Sequence, residues 1–82
     1  MTRYFFHSAD GERRIDRVGT LFEREVDARA EAVRRAGTWI AEDPDILIAN
    51  QDCRLEVTLA DNVPFFTIIM FSVDPRSFGK GR

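Results

Sequence analysis

His7 is the only histidine in the chain, and it stands between three consecutive aromatics, Tyr4, Phe5 and Phe6, and an acidic turn at Asp10. An imidazole titrates near neutral pH and acts as a general base when a partner lies within hydrogen-bond reach, and Asp10 and Asp16 are the nearest acids in sequence. His7, Asp10 and Asp16 are therefore the candidate ligand-binding or enzymatic centre. The plainer reading is a strand histidine on the less buried face of a sheet, since no second nucleophile or base motif accompanies it, and no catalytic residue is assigned. Cys53 would be a reactive thiol only if exposed near positive charge; in an alternating strand it packs as a small hydrophobe. His7 and Cys53 supply two metal ligands and no spacing supplies the rest, so neither a metal nor a cofactor is expected. The glycines fit neither G-x-G-x-x-G nor Walker spacing, which removes support for nucleotide binding.

The elements that must position these residues follow from periodicity. Over residues 3 to 9, Tyr4, Phe6 and Ser8 alternate with Phe5, His7 and Ala9, the pattern of a strand. Asp10-Gly11 supplies a tight turn, and Arg13 to Asp16 returns as a short polar strand anchored by Ile15. Thr20-Leu21-Phe22-Glu23 has the spacing of a capping box. From about residue 24 to 42, Val26, Ala30, Val33, Gly37 and Ile40 recur at steps of three or four and form the apolar stripe of a helix, thinned by Ala28, Ala32 and Ala36. Glu25 with Arg29 and Glu31 with Arg35 pair along its other side. Asp43-Pro44 ends it. Residues 53 to 59 alternate Cys53, Leu55, Val57 and Leu59 inward with Arg54, Glu56 and Thr58 outward. After a turn at 60 to 62, a long run from Pro64 is apolar on both faces: Phe66, Ile68 and Met70 on one, Phe65, Ile69, Phe71 and Val73 on the other. A strand of this kind needs cover on its second side.

Size and charge bound the rest. At 82 residues the chain is one domain with a thin core, and 44% hydrophobic with 32% charged residues is the composition of a globular fold. Twelve basic and fourteen acidic side chains give a net charge of −2 and no basic stripe, so nucleic acid and anionic membranes are not expected as partners. The N-terminus lacks the apolar core of a signal peptide, no run approaches a membrane span, and the lone cysteine suits a reducing compartment, so a cytoplasmic location is expected.

The segments RYFFH, DG, ID, VGT, ARAEAVRRAG and RLEVTLAD resemble a family of small bacterial domains of unknown function that share an R-Y-F-F-H opening and an A-R-A-E-A helix. The likeness extends to about Asp74 and implies no activity, substrate or cofactor. More distantly, the N-terminal hairpin leading through Gly19-Thr20 into an alanine-rich helix is similar to HicB-type antitoxin domains, which implies binding to a small toxin ribonuclease. The expected architecture is α+β: an antiparallel sheet of about four strands in the order ββαββ, with one amphipathic helix on one face, over 1–74, and a flexible tail at 75–82. The expected function is non-enzymatic protein interaction, with a homodimer or another protein partner meeting Trp39, Phe65, Ile69 and Phe71. The alternatives are a ligand-binding or enzymatic site at His7 and a toxin-binding domain.

Overall fold

Aromatic and β-branched residues at alternate positions suit a pleated surface with one covered face, and they build every long strand of the sheet. The computed structural model describes residues 1–49 and 51–78. Its strands are β1 (Thr2–Ala9), β2 (Arg13–Arg14), β3 (Thr20–Phe22), β4 (Cys53–Thr58) and β5 (Pro64–Met70). The helices are α1 (Glu25–Glu42) and two single turns, α2 (Asp45–Ile48) and α3 (Pro75–Phe78). The fold is α+β, with an open antiparallel sheet of order β2-β1-β4-β5 and α1 packed on one face. Of the tail at 75–82, the first four residues form α3, and 79–82 lie outside the described residues.

Five strands replace the expected four because the second strand is interrupted. β2 stops at Arg14 and leaves Ile15 43% exposed, so Ile15 is no anchor. The chain leaves the ladder over residues 15–19 and rejoins it as β3, with Tyr4 opposite Thr20 and Thr2 opposite Phe22. Between Ser8↔Arg14 and Tyr4↔Thr20 the register advances by two residues, so β2 and β3 are two pieces of one strand along the same edge of β1. Thr20 is thus a strand residue and no capping box forms; α1 begins at Glu25 behind Arg24, which makes no side-chain cap. Gly19 permits the return with φ +75°, and a Cβ there would lie 2.7 Å from Arg3 Cγ.

The helix presents a different face from the one its valines suggest. Ala28, Ala32 and Ala36 are at most 3% exposed, whereas Val26 and Val33 face solvent. The reason is size: Tyr4, Phe6, Phe22, Phe65 and Phe66 rise from the sheet toward α1, and only methyl side chains let the helix backbone approach them at core density. Arg29 lies 4.7 Å and 5.0 Å from the ring centres of Phe65 and Phe66, and Arg35 lies 4.1 Å from that of Phe6. Only the Glu31 to Arg35 pair of the two expected helix pairs forms a bridge, at 2.8 Å, and Arg34 joins it at 3.0 Å. A bulge at Val57 and Thr58 puts one extra residue into β5 and turns Phe65 to the core side, away from Ile69. Phe65 meets Tyr4 at 5.0 Å between ring centres.

Candidate functional site

The gap between β2 and β3 leaves the middle of one edge of β1 without a partner strand, and Asp16 fills it. Its Oδ2 accepts the backbone N–H of Phe6 at 3.0 Å, while Oδ1 accepts those of Val18 and Gly19 at 3.0 Å each. A side chain thereby substitutes for the missing strand carbonyl and closes the loop around itself. Burial pushes the Asp16 carboxyl up, but the hydrogen bonds from Gly19, Phe6 and Val18 outweigh it and hold the group below its ordinary value.

His7 lies under this loop and is 3% exposed. Its Nδ1 accepts the backbone N–H of Asp16 at 3.1 Å, and Nε2 lies 2.9 Å from Thr58 Oγ1. An Nδ1 that accepts carries no proton, so the neutral ring holds its proton on Nε2 and donates it to Thr58. A threonine beside a histidine invites comparison with a nucleophile and its base, but here the imidazole donates toward the hydroxyl and cannot withdraw its proton. Phe5 stacks on the ring at 6.5 Å between centres, with 4° between the planes. The fold brings His7 and Asp16 together in a knot whose bonds are all spent on β1, β4 and the 15–19 loop. Beside it lies an open depression of about 410 Å³, lined by Phe5, Ile15, Arg17, Thr58 and Asp61 among others.

Asp10 belongs elsewhere. It closes the hairpin, accepting the Glu12 N–H at 3.3 Å and the Arg14 guanidinium at 3.3 Å. Cys53 is 1% exposed, and burial first, then the charges of Asp10 and Asp52, push its thiol up and keep it protonated. Among the described residues no three of His, Cys, Asp and Glu cluster as metal ligands.

The four aromatic and aliphatic interface candidates separate too. Trp39, half-buried, rims a cleft of about 340 Å³ between α1 and the sheet, with Phe6, Ser8, Arg14, Arg35 and Leu55. Phe65 is half-buried against Tyr4 and Arg29. Ile69 and Phe71 are 57% and 65% exposed, close together at the outer strand. Two features lay outside the reach of the sequence reading: the Asp16 plug, whose partner is a backbone amide, and the cationic stacking of Arg29 and Arg35. Spacing of an acid ten residues from a strand carries no signal for the first; aromatic-rich strands opposite an arginine-bearing helix are a weak one for the second.

No described helix is long and apolar enough to cross a membrane. A family model described as "Domain of unknown function (DUF6894)" matches residues 3–72. No curated protein and no solved structure matches the chain.

Proposed function

The chain belongs to the DUF6894 family of domains of unknown function, and from its geometry we propose a non-enzymatic domain that works by protein contact and associates with itself in the region of β5. The observation that carries this reading is the outer side of that strand. Ile69 on β5, and Phe71 and Val73 just past its end, are each more than half exposed, within a run from 63 to 73 that holds no charged residue. Soluble proteins seldom leave a long apolar outer strand bare, because it invites another chain. The fixed tautomer of His7 supports the same reading from the other side, since an imidazole with both nitrogens engaged has no base to offer.

Ile69 and Phe71 are the contact residues of this reading, while Phe65 holds the strand against Tyr4 and α1. The experiment is solution mass by light scattering over a wide concentration range, for the parent and for Phe71→Asp. The expected result is an oligomeric parent and a monomeric variant with an unchanged helical signal. A parent that stays monomeric at the highest concentration would sink the reading.

A further inference from the structure

We propose that β5 pairs antiparallel with β5 of a second copy about a two-fold axis at Ile68, so that the two sheets become one. This deepens, and rests on, the reading that the domain associates with itself at β5. The direction of the backbone groups carries it. Phe6 N–H points to Asp16 and Asp10 N–H to the Glu12 carbonyl, so the even residues of β1 face the β2/β3 edge and the odd ones face β4. Through the register Phe5↔Thr58 and His7↔Glu56, the even residues of β4 then face β1, and Cys53, Leu55 and Val57 face β5. The bond from Leu59 N–H to the Val63 carbonyl, 2.8 Å, follows the same parity. Opposite them, Phe66, Ile68 and Met70 direct their backbone groups to β4, so those of Thr67 and Ile69 point out of the sheet. Among the described residues no strand lies beyond β5.

What covers a row of outward N–H and C=O groups is another strand, and the sequence of this one fits its own copy. The uncharged run 63–73 is centred on Ile68. An axis there sets Thr67 of one copy opposite Ile69 of the other and the reverse, two narrow pairs of two hydrogen bonds each. It also sets Phe66 of each copy opposite Met70 of the other, up to the bulge at Phe65 where the regular register ends. No charge meets a like charge across the run, and the contact is the same patch on both copies, so it closes as a dimer.

The test reads amide exchange at Thr67 and Ile69 with the solution mass. The expected result is a dimer in which both amides slow at least about tenfold between dilute and concentrated samples. Thr67→Pro, which removes an N–H that the single chain does not use, should give a monomer of unchanged circular dichroism, and Thr67→Val should stay a dimer. A dimer whose Thr67 and Ile69 amides exchange at the same rate when concentrated as when dilute overturns the strand pairing and leaves self-association standing. A monomer at every concentration overturns both, and a mass above the dimer overturns the closed two-fold.

Discussion

The two long edges of this sheet are treated in opposite ways. On one, β2 and β3 are two and three residues long, Arg13 and Arg14 occupy the first, and the gap between them is filled by a carboxylate and sealed by a loop. Short strands, charges and an interruption are the usual defences against unwanted pairing. On the other, β5 runs seven residues with no charge; Pro64 and the bulge at Phe65 mark its start, and from Phe66 to Met70 its outer line is unbroken. Beyond its first two residues, this edge carries none of the charges and gaps that guard the other. The same contrast explains why the histidine and the apolar strand, which compete as centres of function in the sequence, part company in the fold: one is consumed by the guard and the other is what the guard omits.

Breaking the guarded edge should have the largest effect on stability. Asp16→Ala strands the amides of Phe6, Val18 and Gly19 and should cost about 3 kcal/mol in denaturant unfolding, the range for losing hydrogen bonds to a charged group. A loss under about 1 kcal/mol would mean water replaces the carboxylate without penalty. Gly19→Ala comes next, at about 2 kcal/mol, because a positive φ is combined with a Cβ 2.7 Å from Arg3 Cγ and 2.9 Å from Phe5. Gly11→Ala, with φ +104° and open space around it, should cost about half as much. Equal losses at the two glycines would remove close packing as the reason for Gly19.

Acid sharpens the contrast further. The Asp16 carboxyl is held below its unfolded value, so its stabilisation is complete above that value, near pH 4, and drains away as the pH falls through the lower folded value. Asp16→Asn should flatten this part of the acid unfolding profile, measured as stability against pH below about 4; a variant as acid-sensitive as the parent would assign the slope to other carboxylates. The smallest effect on the single chain belongs to the unguarded edge. Ile69→Lys should change monomer stability by no more than about 0.5 kcal/mol, as an exposed position does, yet halve the mass of the associated form. A large loss of monomer stability would show that Ile69 already has a partner within its own chain.

Strand faces were legible in the sequence because a period of two leaves little choice: Tyr4 with Phe6, Leu55 with Val57, and Phe66 with Ile68 all share the covered face. The helix itself was legible from its length and from Asp43-Pro44, but not its orientation, since apolar periodicity favours valine and the aromatics across from α1 favour alanine. Phe65 could not be placed without the bulge, a property of the β4/β5 register and not of either strand alone. β3 was hidden for a related reason: Thr20 to Phe22 is too short to read as a strand, and what fixes it is an acid binding an amide 10 positions back. At the candidate site, the nearness of His7 and Asp16 was legible, whereas the atom that joins them, a backbone nitrogen, has no signature in residue types.

The spacing of those bonds along the chain also sets an order in time. The knot that joins Asp16 to Phe6 and His7 spans only 9 or 10 positions, whereas the bond from His7 to Thr58 spans 51. Closing a short loop costs less entropy than closing a long one, so the N-terminal meander can assemble first and wait for the central pairing of β1 with β4 as the slow step. During synthesis β5 emerges after β4 and is joined to it by a brief turn, which lets the two fold as a hairpin almost at once. The apolar strand thus spends little time unpaired on its inner side.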